Sequence, residues 1–498
     1  MMRALYSGVS GLKVHQTKMD VIGNNISNVN TVGFKASNVT FADVLYQTSS
    51  NATGPNAETG RAGQNPMQIG LGASVSAIST TIETSGGSQR TDNPFDLMIE
   101  GDGFFVVNNG SGNYFTKAGS FKIDASGTLC NASGYAVMGW QVDPKDPTKT
   151  VADAVSPLKV MAPENQFSEP EATKAVYFAG NIDSKDSSFD SETGKLTAFS
   201  IYDNLGRSYT VNLRLNQRES GAGADAQKIE NEYVVSIVDI LDSNGDSILV
   251  TFDADGKATA REDVTFTFGG VEFEVNADGD SEEYTVTSDD ELVLAFNPKN
   301  GKFAGIVNGD DVDDVYDEDS EEDYSSVDFV LSVGGVDKNP FPEAVDVDFS
   351  KMTMYKKSGS TKIEPTKGDF NGNNAGRAAG NLKKLTVDSV GMIYGVYDNG
   401  VSKLLGQVVV ATFANPAGLE AVGGNLFATT QNSGEFDGIG EDVSASGGQF
   451  NPGVLEMSNV DLSTEFTNMI TTQRGFQANS RIITTSDTLL EELINLKR

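Results

Sequence analysis

The C-terminal end of the chain carries a heptad pattern of apolar and short polar side chains. From residue 462 onward these side chains follow one another at alternating spacings of four and three residues, which places them on one face of a helix. The face comprises Leu462, Phe466, Met469, Gln473, Phe476, Ser480, Ile483, Asp487, Leu490 and Ile494. Ser458 or Asp461 can cap the helix, and we expect it to run from about residue 462 to 496, a length of about 50 Å.

The N-terminal end shows the same kind of pattern and predicts a helix of about 40 Å over residues 3–28. Its apolar positions are Leu5, Val9, Leu12, Met19, Ile22 and Ile26. A helix with a single apolar stripe is not stable alone in water. We therefore expect the two terminal helices to pair with each other, with copies of themselves, or both. Gln473, Ser480 and Asp487 suit contacts that set the register between subunits.

Between the two ends the hydrophobic period changes to two, and turn dipeptides are frequent. Similar strand patterns lie on either side of a long β-patterned middle. We therefore expect one β domain that is built from both halves of the chain, with the middle inserted into it, because insertions are tolerated at exposed loop tips. The fold class is therefore multidomain, with an α-helical coiled-coil terminal domain and mainly-β inner and outer domains. The predicted parts are 1–30 with 455–498 (helical), 31–68 (connecting segment), 69–156 with 377–454 (discontinuous β domain) and 157–376 (inserted outer β domain or domains, with a subdomain at about 220–345).

Charge and composition exclude several classes of function. The 498 residues include 70 Asp and Glu against 36 Lys and Arg, a formal net charge of -34, whereas nucleic-acid binding depends on clustered basic residues. No run of residues approaches the roughly 18 apolar positions of a membrane helix. The first residues lack a continuous apolar region and a small-residue cleavage site, so we expect no cleaved signal peptide. Nucleic-acid binding and membrane insertion are not expected.

The parts of an enzyme active site are scarce. One His and one Cys cannot form a His-rich zinc centre or a Cys₄ site, and a catalytic triad would have to use His15. Residues 242–247 and 276–281 begin like calcium loops but lack the required Gly and Glu, so hairpin turns explain them better. The acidic residues 310–328 predict a solvated loop. We expect no catalytic residue, metal site or cofactor.

The first helix ends in a cluster of amides and glycine, "DVIGNNISNVNTVGFK". Asn24, Asn25 and Asn28 can cap the helix and also bond backbone groups nearby, because amides both donate and accept hydrogen bonds. Gly33 permits a positive φ. A single ordinary helix end needs only one cap, so this segment is expected to have a further role.

Two segments carry a family resemblance. "SGLKVHQTKMDVIGNNISNVNTVGFK", with the later "FADVL", and "LEMSNVDLSTEFTNMITTQRGFQANSRIITTSDTLLEELINL" resemble the terminal signatures of the flagellar rod, hook and hook-associated axial proteins. Within that family, the long β insertion and "FSIYDNLGRSYTVNLRL" look like the hook subunits, whereas distal rod subunits are much shorter.

The resemblance implies a structural subunit whose copies polymerise helically into a curved tube, a flexible joint between rod and filament. It implies that the terminal helices pair as a coiled coil at the inner tube, with Leu5, Leu12, Met19, Ile22 and Ile26 against Leu462, Phe466, Met469, Phe476, Ile483 and Leu490. Asn24, Asn25, Asn28 and Gly33-Phe34-Lys35 would form the exit from the first helix.

The implied partners are many copies of the chain, the flagellar rod, the hook cap, the hook-filament junction proteins and the type III export apparatus. The implied location is extracellular, in the hook and basal body, reached by export without a cleaved signal peptide.

Two alternatives remain open from the sequence. One is a distal rod subunit that carries an insertion. The other is a secreted β-rich protein that binds or hydrolyses carbohydrate with carboxylates such as Asp239 and Asp242, which would have to lie roughly 5 to 9 Å apart in a cleft. The second alternative gives the terminal helical patterns no purpose.

Overall fold

The computed structural model of the chain describes residues 2–55, 60, 62–190, 193–220, 227–277, 281, 283–316, 324–334, 339–341 and 343–496. These residues form two compact units. The first comprises Met1–Gln166, Leu382–Val396 and Ser402–Arg498, and the second comprises Phe167–Asn381 with Tyr397–Val401. The finer four-part division expected from the sequence stays a prediction.

Two long helices lie at the chain ends, as the heptad patterns predicted. Helix α1 spans Met2–Ser27 and helix α2 spans Leu462–Asn495. Of the two candidate caps, Asp461 is the one used, because its carboxylate accepts hydrogen bonds from the Ser463 and Thr464 amides. Among the described residues no helix is both long enough and apolar enough to cross a bilayer.

The N-terminal part of the first unit continues after α1 as short strands. They are β1 Ser37–Asp43, β2 Tyr46–Ser50, β3 Met67–Gly70, β4 Ala73–Thr80, β5 Ser88–Arg90, β6 Leu97–Glu100, β7 Phe104–Asn108, β8 Asn113–Thr116, β9 Phe121–Ile123, β10 Leu129–Asn131, β11 Ala136–Trp140 and β12 Ser156–Pro157. β1 pairs antiparallel with β4, and β2 with β3, so these four strands form two antiparallel pairs, which we call the ribbon.

The second unit is built around two large β sheets. Its strands are β13 Phe167–Ser168, β14 Ala175–Asn181, β15 Lys195–Tyr202, β16 Ser208–Ser220, β17 Gln227–Leu241, β18 Val250–Phe252, β19 Ala258–Ala260, β20 Val264–Phe268, β21 Val271–Ala277, β22 Tyr284–Ser288, β23 Leu292–Phe296, β24 Phe303–Asn308, β25 Ser326–Val333, β26 Val345–Thr353 and β27 Lys362–Lys367.

A single apolar core joins these two sheets. One sheet has the strand order β22-β21-β20-β25-β26-β14-β27 and the other β15-β16-β17-β23-β24. Phe199 of β15 packs edge-on against Phe329 of β25, with ring centroids 5.8 Å apart. Every second residue of a strand points into the space between the sheets. Side chains from the two inner faces, aromatic rings among them, interdigitate there to form the core of a β sandwich.

The remaining strands return to the first unit. They are β28 Gly380–Val387, β29 Met392–Tyr397, β30 Ser402–Val408, β31 Val410–Ala411, β32 Glu420–Gly423, β33 Leu426–Ala428, β34 Gln449–Pro452 and β35 Val454–Glu456. Short 3₁₀ helices occupy Pro163–Asn165, Ser187–Asp190, Gly309–Tyr316, Pro416–Gly418 and Val443–Ser446.

Strands from the two ends of the sequence pair within the first unit. β6 pairs with β34, and β5 pairs with β35. Phe105 of β7 is fully buried, stacked on Phe450 of β34 and edge-on to Phe121. Strands from early and late parts of the sequence are therefore both part of this unit.

The acidic segment differs in part from its prediction as a solvated loop. Its first residues belong to the 3₁₀ helix Gly309–Tyr316, in which Val312 is buried, and its last residues begin strand β25. Apolar residues between the carboxylates explain the difference, because they can pack on the β core. Residues 317–323 lie outside the described part of the chain, as do residues 278–280 of the second predicted hairpin turn.

Candidate functional site

The two terminal helices pack against each other in an antiparallel arrangement. Asn25 near the end of α1 donates a 3.1 Å hydrogen bond to Glu465 near the start of α2. At the opposite end of the pair, Gly8 of α1 lies against Ile483 of α2. Because residue numbers rise on one helix as they fall on the other, the helix directions must oppose.

The closest contacts of the pair are made by glycine. A methyl group placed on Gly475 would lie 2.7 Å from the His15 ring, and one on Gly11 would lie 2.6 Å from the Asn479 amide nitrogen. Real Cβ atoms do not approach neighbours so closely. Glycine therefore makes room between the helices for the His15 ring and the Asn479 side chain, at the expense of helix propensity.

The α2 face turned toward α1 is lined by small and polar residues. Thr472 and Ser486 are buried, at 2% and 6% exposure, and they share this face with Gly475 and Asn479. The spacing of 472, 475, 479 and 486 follows the heptad period. The sequence prediction missed these residues because it searched for apolar periodicity, although the period itself was visible.

Most of the apolar residues expected at the helix pair are half-buried. Ile22 is buried, and Asn25 is buried at the end of α1. The half-buried set comprises Leu5, Leu12, Met19, Ile26, Asn28, Met469, Phe476, Ile483 and Leu490. Of the predicted set, Ile483 lies against Gly8 of α1 and Asn25 bonds to Glu465 of α2; contacts of the others with the opposite helix stay a prediction.

Four residues of the predicted interface are exposed. Asn24 and Gln473 are exposed to solvent, and Leu462 and Phe466 are 38% and 50% exposed. Leu462 and Phe466 are thus largely exposed in the single chain, and their expected packing against α1 stays a prediction. A role in contacts between copies stays a prediction for all of these residues.

Further large apolar side chains point outward from both helices. On α1 these are Met2, Tyr6 and Val9, and on α2 they are Ile470, Leu489, Leu493, Ile494 and Leu496, each at least 44% exposed. So many exposed large apolar side chains on two helices of a protein with this much charge indicate an interaction site. We call these residues, with Leu462 and Phe466, the outward apolar rows.

The amide cluster ties the end of α1 to the structure that follows it. The Asn25 side chain donates to the Ser37 carbonyl and accepts from the Ser37 amide. Asn28 donates to both the backbone and side-chain oxygens of Asn24. These amides therefore satisfy the last carbonyl groups of the helix and also fix strand β1 beside it.

The connecting segment after α1 turns at Gly33. This glycine has φ 69°, and a methyl group there would lie 2.7 Å from the Ala118 amide nitrogen. Its amide donates a 2.8 Å hydrogen bond to the Glu456 carbonyl of β35. Only glycine fits both the conformation and the space.

Lys35 of the same segment enters a buried ion pair. Its Nζ lies 2.8 Å from Glu456 Oε1, and both side chains are 1% exposed. Nζ also donates to the Thr84 carbonyl. A buried ammonium is tolerated only when it is paired in this way.

Two asparagines complete the hold on the segment. Asn459 accepts from the Ala36 amide and donates to the Thr81 and Thr84 carbonyls. Asn425 donates a 2.8 Å hydrogen bond to the Val32 carbonyl. We call the set Gly33, Lys35, Asn425, Glu456 and Asn459 the exit clamp. Its members come from both ends of the sequence.

The ribbon of β1 to β4 runs beside α1. The Ser10 hydroxyl accepts from the Ala73 amide, and the His15 ring is edge-on to Phe41. The ribbon itself leaves Val44, Leu45, Tyr46, Met67, Ile69 and Ile78 exposed. As at the outward apolar rows, no described part of the single chain covers these apolar side chains.

The residues considered for chemistry have structural surroundings. Asp242 caps a turn by accepting from the Asn244 and Asp246 amides, and Asp239 accepts from the Ser247 hydroxyl. His15 belongs to the helix pair, and burial lowers its pKa. The charge on Lys18 lowers it further. Within the described ranges there is no group of three or more His, Cys, Asp or Glu side chains that could hold a metal ion.

Four family models match parts of the chain. Residues 5–35 match the flagella basal body rod protein, and residues 98–168 match the flagellar hook protein FlgE/F/G D1 domain. Residues 171–368 match the flagellar basal body protein FlaE D2 domain, and residues 451–496 match the flagellar basal body rod FlgEFG protein C-terminal.

Relatives match over the full length. The chain is 33% identical over 519 residues to the flagellar hook protein FlgE of Treponema pallidum and 33% identical over 506 residues to that of Borreliella burgdorferi. It is 26% identical over 498 residues to the flagellar basal-body rod protein FlgG of Bacillus subtilis. Each alignment covers 100% of this chain and 100% of the relative.

Proposed function

This chain belongs to the flagellar hook protein family, and we propose that it is the structural subunit of the bacterial flagellar hook. Many copies polymerise helically into a curved, flexible tube that links the rod to the filament. The observation that carries the proposal is the pair of terminal helices with uncovered outward apolar rows, because such surfaces need a partner and other copies of the chain supply it.

The paired helices are proposed to act as a coiled coil that forms the inner layer of the tube. Contacts between copies use the outward apolar rows and the predicted residues Leu462, Phe466 and Gln473. The exit clamp then fixes how the chain leaves this layer. The β regions, including the inserted region predicted at 157–376, form the outer layers.

The role is structural and not enzymatic, without a cofactor. The proposed partners are the rod at one end, the hook-filament junction proteins at the other, the hook cap during growth and the type III export apparatus. The proposed location is extracellular, in the hook and basal body, reached without a cleaved signal peptide.

The distal rod alternative is less well supported. Both relatives at 33% identity are hook proteins, whereas the rod relative is 26% identical. A carbohydrate-binding or hydrolytic role has no support from Asp239 and Asp242, which hold turns.

Deletion of the gene in its source bacterium tests the proposal. Basal bodies purified from the deletion strain should carry a complete rod and no hook in electron micrographs. Restoring the gene should restore a curved tube. A hook of normal length in the deletion strain, or a rod that is itself shortened, would contradict the assignment.

A further inference from the structure

A second lysine lies beside the exit clamp, and it is buried without a carboxylate of its own. Lys117 is 5% exposed, and its Nζ donates one hydrogen bond of 3.2 Å to the Gly101 carbonyl. The same Nζ lies 5.3 Å from the centre of the Phe104 ring. Among the described residues it makes no ion pair within 4.0 Å, whereas Lys35 has Glu456 at 2.8 Å.

The buried charges therefore do not balance. Lys35, Lys117 and Glu456 are all less than 6% exposed, and they supply two cations to one anion. The second Glu456 oxygen, Oε2, has no hydrogen-bond partner among the residues that the structure describes. An ammonium held in such surroundings loses its hydration and gains little in exchange.

The charged groups around Lys117 come from several elements. Glu456 and Lys35 approach from the exit clamp, and Asp102 approaches from the loop before β7. Lys117 also lines a cavity of about 520 Å³ that includes the carboxylates of Glu83, Asp102 and Glu441. That cavity gives the side chain access to protons from solvent.

We propose that Lys117 is a proton switch on the exit clamp: its charged form strains the buried cluster, and its neutral form lets the clamp close more tightly around the connecting segment. The segment joins α1 to the β structure of its unit. The charge on one side chain therefore sets how firmly that joint is held.

Titration near neutral pH is consistent with this switch. Burial lowers the pKa of Lys117 to about 8, although Glu456 opposes the change. In the unfolded chain the amine titrates at its ordinary, higher pKa. The folded state thus binds fewer protons than the unfolded state between these values, so stability from this group rises with pH through that window.

Hydrogen exchange of the intact chain tests the switch. The reporters are the amides of Gly33 and Gly86, which donate to the carbonyl and to Oε1 of Glu456. After correction for intrinsic rates, their protection should rise about tenfold from pH 7 to pH 9.5. Amides of strand β16 in the second unit should not change.

Three variants separate the switch from a general effect of alkaline pH. Lys117→Met should give the high protection at both pH values, and Lys117→Arg, which stays charged, should give the low protection at both. Lys122→Met, at an exposed position on β9, should behave like the native chain. A pH step that persists in Lys117→Met would overturn the proposal, as would native-like low protection at pH 7 in that variant.

Discussion

Gly475 lies where α2 passes closest to His15 of α1. Replacing Gly475 with Ala would gain about 1 kcal/mol of helix propensity but would force a methyl group into the His15 ring, which costs about 1–3 kcal/mol. We expect the helix pair to open more often. The measurement is the rate at which a protease removes α2 from the monomer, and that rate should increase.

Gly23→Ala is the matched control for this change. Gly23 also lies inside a helix, but no described residue has an atom within 4 Å of a Cβ added there. This variant should be cut no faster than the native chain. Equal rates for Gly475→Ala and Gly23→Ala would contradict close packing at Gly475.

Glu456 is the residue on which the exit clamp depends most. Glu456→Gln would leave the buried Lys35 ammonium without an anion, and breaking such a pair costs about 3–5 kcal/mol. Urea unfolding followed by Trp140 fluorescence measures this cost in the first unit, because Trp140 is the one tryptophan of the chain and lies in that unit.

The double variant Lys35→Met with Glu456→Gln provides the comparison. It removes the stranded charge, so it should be more stable than Glu456→Gln alone. The free energy of unfolding is also measured for Lys35→Met alone. If the double variant loses as much stability as the two single variants together, the Lys35 and Glu456 side chains are not coupled as the structure places them.

At the scale of elements, the outward apolar rows should matter for assembly and not for folding. Leu489→Asp places a charge on a residue that is 46% exposed, so the monomer should keep its stability. A contact between copies would bury that charge, and polymerisation should fall by about tenfold or more, measured by pelleting. Phe252→Asp, at a 52% exposed site of the second unit, should pellet normally.

The helices could be predicted from the sequence because their heptad patterns are long, and because Ser458 and Asp461 both offered a cap for α2. The face that joins them could not be predicted in the same way. It is built from Thr472, Gly475 and Ser486, and apolar periodicity does not register such residues. The exit clamp could not be predicted either, because Lys35 and Glu456 are 421 positions apart in the sequence and no local pattern links them.

At the scale of the whole molecule, charge is divided unevenly. Helices α1 and α2 together hold five basic and five acidic residues, so the net charge of -34 belongs to the rest of the chain. Packing the helices of many copies together therefore meets little repulsion, while the β regions repel one another. At 0.1 M salt, repulsion between exposed charges more than about 10 Å apart is largely screened.

The division of charge makes assembly salt-dependent. The lowest protein concentration that polymerises should fall as salt rises from about 0.02 to 0.3 M, because screening weakens repulsion and leaves the apolar contacts intact. Sedimentation at a series of concentrations measures it. A threshold that rises with salt would mean that ion pairs between copies dominate the contacts.

The central claim is that this chain polymerises into a curved tube through its terminal helices. Electron microscopy of the purified full-length chain under polymerising conditions, beside Leu489→Asp, tests it most directly. The account expects curved tubes from the native chain and few or none from the variant. Single particles from the native chain, or tubes that are equally abundant with Leu489→Asp, would contradict it.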